Sequence, residues 1–360
     1  MESVSFSRLK LISSSFLREL KQTYKNERTS LGFIVHKLSP TPLIKEGENF
    51  EVLVVGGSVM KKALIKKTKR GINVLKVENE KNIYFNNGND FLDLVAKELY
   101  SDVKTLALDF AYPLQPIFEN GKLDGIFLGS TKGVKLHSLI GKRIGKTIED
   151  HVLKKVKKKI KVSVANDTVC LMLSGLSKFR WQNLAAGIVG TGLNFALFTN
   201  KNHLVNLESA SFNKFTQTKE GKIVDRASDK PGKSLFEKET AGGYLYKHFN
   251  ITLKEKNLSF SPIKSTKELN RVSLSNIKNA SHIAKDLIKR SAQFVACQVA
   301  GITLFKKQNM VFVMEGSLFW KGSNYKKIVE KTVRQLVPKY KIHFAEIGNS
   351  SIVGAAKLIS

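Results

Sequence analysis

Two short apolar runs, each interrupted by a glycine turn and resumed beyond it, constrain the fold of this chain more than any other feature. Phe50 to Val55 is a valine-rich run that ends at Gly56-Gly57-Ser58, and a second apolar stretch follows around Ala63 to Ile65. Far downstream, Ala185 to Val189 runs into Gly190-Thr191-Gly192, and apolar character resumes from Asn194 to Phe198. Short runs rich in β-branched and aromatic residues read as strands, and the glycines between them permit a tight reversal. The pattern predicts one glycine-turn hairpin in each half of the chain, and with it a duplicated architecture.

Other segments alternate between helical and strand periodicity. Helices are expected from Asn89 to Leu99, from Ile148 to Ile160 and from Tyr325 to Val337, the last with Val329, Val333 and Leu336 inward. Strands are expected at Thr105 to Phe110, Val162 to Ala165, Met310 to Met314 and Ile342 to Ile347. Leu9, Ile12, Phe16 and Leu20 recur at helical spacing, so Met1 to Leu20 reads as an amphipathic helix; it lacks the unbroken apolar stretch of a signal peptide. The polar segment Lys214 to Pro231 reads as loop. A chain of 360 residues, 42% of them hydrophobic, has room for one large two-lobed domain or two ordinary ones. The alternation predicts an α/β protein with two sheet-centred lobes.

Sixty Lys and Arg against thirty Asp and Glu give a formal charge of +30, which brings polyanion partners into consideration. The densest basic run, His151 to Lys161, surrounds Leu153, Val156 and Ile160 and fits the wet face of an amphipathic helix. No aromatic residues interleave there to stack bases, and no nucleic-acid motif is present. The two cysteines, Cys170 and Cys297, lie in apolar stretches and read as core residues of a cytoplasmic protein. The uncharged runs Leu184 to Phe198 and Ser291 to Phe305 are too short to cross a bilayer. A soluble chain with no membrane partner and no specific nucleic acid is expected.

Several catalytic signatures are absent: there is no HExxH, GxSxG, strand-borne GxGxxG, HRD or DFG. Gly141-Lys142-Arg143-Ile144-Gly145-Lys146-Thr147 has three residues between its glycines where a P-loop needs four, and no strand leads into it. Asn166-Asp167-Thr168 follows an expected strand, at the end where open α/β sheets place ligands, but an Asp there also serves simply as a helix cap. Taken singly, Thr131-Lys132-Gly133, Asn194, Glu208 and Glu237 read as surface polar residues.

Their order reads differently. Phe110-Ala111-Tyr112-Pro113, Ser130-Thr131-Lys132-Gly133, Asn166-Asp167-Thr168-Val169, Gly190-Thr191-Gly192-Leu193-Asn194, Asn206-Leu207-Glu208 and Pro231-Gly232-Lys233-Ser234-Leu235-Phe236-Glu237-Lys238 follow one another in a sequence that resembles the hexokinase family. The similarity runs from about Thr29 to Gly354-Ala355-Ala356. It implies an actin-like, ribonuclease H-like sugar-kinase fold with a cleft between two lobes. The small lobe would span 50–165 with a C-terminal helix at 353–360, and the large lobe 1–49 and 166–352. It also implies MgATP-dependent phosphorylation of a hexose, most plausibly glucose at its 6-hydroxyl, with the lobes closing on the sugar, by a monomer or homodimer.

By the same resemblance, Asp167 is the general base and Lys132 its electrostatic partner, while Thr131, Lys132, Asn166, Asp167, Asn194, Glu208 and Glu237 bind the sugar. Gly56, Gly57, Ser58, Gly190, Thr191 and Gly192 face the phosphates of ATP, and Gly316 and Ser317 the adenosine; no residue is assigned as a metal ligand. The chemistry agrees, because a primary hydroxyl needs a proton acceptor to attack phosphorus and a polyol needs paired carboxylates and amides. The chain departs from the family where Val54 replaces the Asp that helps hold hydrated Mg2+, and where Ala111 and Ser130 replace Ser and Trp. Two other classes therefore stand beside the kinase: a non-catalytic sugar sensor and a polyanion or nucleic-acid binder.

Overall fold

The computed structural model describes residues 4–56, 59–81, 85–129 and 135–360. In chain order it comprises α1 (Phe6–Tyr24), β1 (Ile34–Lys37), β2 (Asn49–Val55), β3 (Val59–Thr68), β4 (Gly71–Lys81), α2 (Gly88–Glu98), β5 (Thr105–Phe110), β6 (Leu114–Glu119), β7 (Lys122–Phe127), α3 (Ile144–Val156), β8 (Lys161–Ala165) and α4 (Asp167–Gly175). There follow β9 (Leu184–Val189), β10 (Leu193–Asn200), β11 (His203–Asn206), α5 (Lys219–Arg226), α6 (Leu235–Thr240), α7 (Gly242–Glu255), α8 (Thr266–Ser273), α9 (Lys278–Lys306), β12 (Met310–Glu315), α10 (Ser317–Lys321), α11 (Tyr325–Leu336), β13 (Ile342–Ala345) and α12 (Ser350–Ala356). The chain divides into two compact units: Met1–Phe33, Ala185–Phe195 and Leu207–Glu346 form the first; Ile34–Leu184, Ala196–Asn206 and Ile347–Ser360 form the second. The second unit holds 50–165 and 353–360, expected as the small lobe, but also 34–49, 166–184, 196–206 and 347–352, expected in the large one, and the last helix runs Ser350–Ala356 rather than 353–360.

The second unit is built on a sheet of order β4-β3-β2-β5-β8. Strand β3 pairs antiparallel with both β2 and β4, whereas β2, β5 and β8 are parallel, with Val54 beside Asp109 and Asp109 beside Ala165. Strand β5 is buried along its whole length, as a central parallel strand must be. Phe91, Phe110, Phe127, Ile148 and Val152 pack with Leu53 and Val55 into one core. The first unit carries β9 between the start of β10 and β12, with β13 parallel to β12. Its longest element is the 29-residue α9, against which α1 lies: Leu9, Ile12, Phe16 and Leu20 are all buried, and the Cys297 Sγ–H donates to the Leu9 carbonyl. Both cysteines are buried free thiols.

The structure corrects two local readings. The basic helix begins at Ile144 and ends at Val156, with Lys157 in the left-handed region, and its inward face is Ile144, Ile148 and Val152. Leu153 and Val156, expected inside, are 48% and 47% exposed. The start moves because the buried Asp124 carboxylate accepts the Gly145 and Lys146 N–H groups and caps the helix; this also accounts for the P-loop-like glycine at 145. The segment Lys214 to Pro231, expected as loop, contains α5, capped by Thr218 and burying little more than Val224 and Gly221. So sparse an apolar face left almost no periodic signal. Among the described residues, no helix is long and apolar enough to cross a membrane.

Candidate active site

In the second unit, the parallel strands β2, β5 and β8 deliver Gly56, Ala111 and Asn166 to one edge of the sheet, and the Ala111 N–H donates to the Val55 carbonyl at 3.0 Å. This is the edge at which α/β sheets bind ligands. The cap of α4 is Asn166, whose Oδ1 accepts the Val169 N–H at 3.0 Å. Asp167 is therefore not the cap. It occupies the first turn, half-buried, with its Oδ1 accepting the Thr168 N–H at 2.7 Å. Thr131, Lys132, Gly57 and Ser58 lie outside the described residues.

In the first unit, the structure brings together three polar residues that are far apart in sequence. Glu237, on α6, accepts the Leu193 N–H through Oε2 at 3.0 Å. The next residue, Asn194, donates from Nδ2 to Glu208 Oε1 at 3.5 Å, and its Oδ1 accepts the Phe195 and Ser209 N–H groups at 2.8 and 3.2 Å. Glu208 sits at φ +48°, a left-handed conformation that a non-glycine residue holds only when its surroundings enforce it. Two carboxylates and an amide thus stand along two consecutive residues of β10, immediately after the Gly190-Thr191-Gly192 turn.

That turn is fixed from two sides. The Gly242 and Gly243 N–H groups, at the start of α7, donate to the Gly190 and Thr191 carbonyls at 2.7 and 2.9 Å. These are helix-terminal donors that would otherwise lack an intrahelical partner. Behind the turn lies Gly316 at φ +113°, where a Cβ would overlap the Val189 carbonyl. Gly190, Thr191, Gly192, Gly316 and Ser317 accordingly lie together, and Thr191 and Ser317 are exposed.

Two features near these residues were missed in the sequence. Gly242-Gly243 was a visible signal, a glycine pair just after the Glu237 segment. Asp109 is the other: a carboxylate only 2% exposed, in register with Val54, the position where the expected acid is missing. A lone acid inside an otherwise apolar strand was its signature. Among the described residues, no group of three or more His, Cys, Asp or Glu side chains is arranged to hold a metal ion.

Comparison with known proteins agrees with the motif order. The family model described as hexokinase matches residues 249–360. Human Hexokinase-2 is 26% identical over 96% of this chain, and yeast Hexokinase-1 is 23% identical over 71% of it. The chain spans about half the length of the human relative, 46%, and 60% of the yeast one. The Schistosoma mansoni hexokinase complexed with glucose superposes with a TM-score of 0.78 at 18% identity, covering 99% of this chain and 95% of that one. A ROK family glucokinase from Streptomyces griseus, in complex with glucose and AMPPNP, gives a TM-score of 0.56 at 14% identity over 87% of this chain and 99% of that one. With six motifs in family order and similarity along nearly its whole length, the chain is similar to the hexokinase family, and its fold is that of the solved hexokinase structures.

Proposed function

We propose that the chain is an ATP-dependent hexose kinase that phosphorylates glucose at its 6-hydroxyl. The observation that carries this reading is the convergence of Asn194, Glu208 and Glu237 on residues 193 and 194, one step from the Gly190-Thr191-Gly192 turn. Amide and carboxylate groups held by backbone donors present fixed acceptors and donors to successive sugar hydroxyls, so an analogue lacking one hydroxyl leaves a polar group unmatched. The glucose-bound hexokinase and the glucose- and AMPPNP-bound glucokinase among its structural relatives support the choice of ligands.

Asp167 is assigned as the general base. From the first turn of α4 it would accept the hydroxyl proton as the oxygen attacks the γ-phosphorus. By the same family resemblance, Asn166, Thr131 and Lys132 are also assigned to the sugar, with Lys132 as the electrostatic partner of the base. The backbone at Gly190-Thr191-Gly192, with Gly56-Gly57-Ser58, is assigned to the phosphates, and Gly316-Ser317 to the adenosine. Mg2+ would arrive with the ATP phosphates, neutralising their charge, since it keeps several waters and needs few protein ligands. Val54 cannot hold that hydrated ion, and Asp109 is the carboxylate placed nearest it in register.

A panel of hexoses with ATP and magnesium tests the reading. The wild-type chain should form a hexose 6-phosphate, and Asp167→Ala should lower turnover by about a hundredfold or more while hexose affinity measured by calorimetry stays within about threefold. Undiminished turnover in the variant removes Asp167 from its role. Hexose binding without any turnover in the wild type identifies a sugar sensor instead.

A further inference from the structure

We infer that Asp225 and Lys238 are positioning residues for Glu237, forming a buried ionic latch that sets the affinity for the hexose; this rests on the function proposed above. Glu237 lies on α6, which has six residues and is too short to hold its own orientation. The loop leading into it, 227–234, ends at Ser234 with φ +50°, a strained conformation that needs external support.

One ion pair supplies that support at three points. Lys238 Nζ meets Asp225 Oδ1 at 2.5 Å and also donates to the Lys230 carbonyl at 2.8 Å. The Asp225 carboxylate in turn accepts the Gly232 N–H through both oxygens, at 3.0 and 3.1 Å. The pair thus ties the end of α5 to the middle of the loop and to α6. Lys238 is 2% exposed, so its charge has no solvent to fall back on.

The neighbouring residues show that the arrangement aims Glu237 rather than merely filling space. Glu239, fully buried, accepts the Thr218 N–H at 2.7 Å and faces Arg290 of α9 at 3.5 Å. The Lys238 carbonyl accepts from His248 Nε2 at 2.7 Å, and an Arg290 Nη donates to His248 Nδ1 at 3.1 Å. Residues 238 and 239 therefore anchor α6 to α5, α7 and α9, leaving Glu237 directed at the Leu193 N–H beside Asn194. A carboxylate that must match a sugar hydroxyl within a few tenths of an ångström needs such a support.

The test uses Asp225→Asn and Lys238→Met, alone and combined with Glu237→Gln. Calorimetry with glucose and steady-state kinetics are read together, with thermal melts as the check on folding. Asp225→Asn should weaken glucose binding about tenfold while the KM for ATP and kcat stay within about twofold. In the Glu237→Gln background the same substitution should change glucose affinity less than about twofold, because the group being positioned is gone. An unchanged glucose affinity in Asp225→Asn overturns the proposal, as does an equal loss in both backgrounds or a parallel rise in the KM for ATP. If Lys238→Met does not fold, Asp225→Asn decides alone, since its amide still accepts from Gly232. A wild-type chain that neither binds nor phosphorylates any hexose overturns the proposed function first and this inference with it.

Discussion

Glu51 is a carboxylate in the middle of β2 with no exposure to solvent, and burial raises its pKa from 4.5 to about 7. The Tyr100 N–H, Lys62 and Lys158 pull it down and Glu98 pushes it up, but desolvation prevails. An acid whose folded pKa exceeds its unfolded one contributes most stability below pH 4.5 and loses it as pH rises toward 7, a swing of about 3 kcal/mol. His36 and His248, both buried and lowered from 6.5 to about 4, act oppositely: their contribution is present above pH 6.5 and is lost toward pH 4. Glu51→Gln should therefore raise the thermal midpoint at pH 8 and match the wild type near pH 5. An equal midpoint at pH 8 would show that the carboxylate is already compensated there. At this scale motif order named Asn194, Glu208 and Glu237, which the structure brings together around residues 193 and 194. The assignment of the α4 cap to Asn166 rather than Asp167 was not legible there, because both side chains are capable caps and only the path of the chain into the helix chooses between them.

Elements with a full apolar face were read correctly, and those without one were not. Helix α1 buries every apolar residue that marked it, and α11 buries Val329 and Val333, although Val337 rather than Leu336 completes its inner face. Helix α3 was misplaced because lysines follow any exposed surface and so carry no register; the carboxylate that fixes its start, Asp124, is about twenty residues earlier in the chain. The packing of α12 on α4 was invisible for a different reason. Gly354 lies so close to the Cys170 carbonyl that any Cβ would overlap it, a requirement set by another helix. Gly354→Ala should lower the thermal midpoint by several degrees, corresponding to about 2 kcal/mol or more of stability. A wild-type melt would mean that the two helices separate without cost.

Over the whole molecule, the excess of thirty positive charges is carried at least partly on open surface, and the exposed Leu153 and Val156 lie within the densest basic run. If phosphoryl transfer uses the glycine turn at 190–192 and the small residues at 316–317, ATP should serve as donor and inorganic polyphosphate at matched phosphate concentration should not. Raising salt from about 50 to 200 mM should change the KM for ATP only a few-fold, against the about thousandfold loss typical of binding through many phosphate contacts. Polyphosphate-dependent turnover that collapses with salt would move the phosphate site to the lysines. The sequence by itself determined the α/β alternation and the paired strands flanking the two glycine segments, because strand and helix follow from the spacing and shape of neighbouring side chains. Only the tertiary structure decided that Glu237 reaches the backbone beside Asn194, that Asp109 stands next to Val54, and that Lys238 closes on Asp225. A buried polar group takes whichever partner packing brings within reach, and no periodicity along the chain encodes that partner.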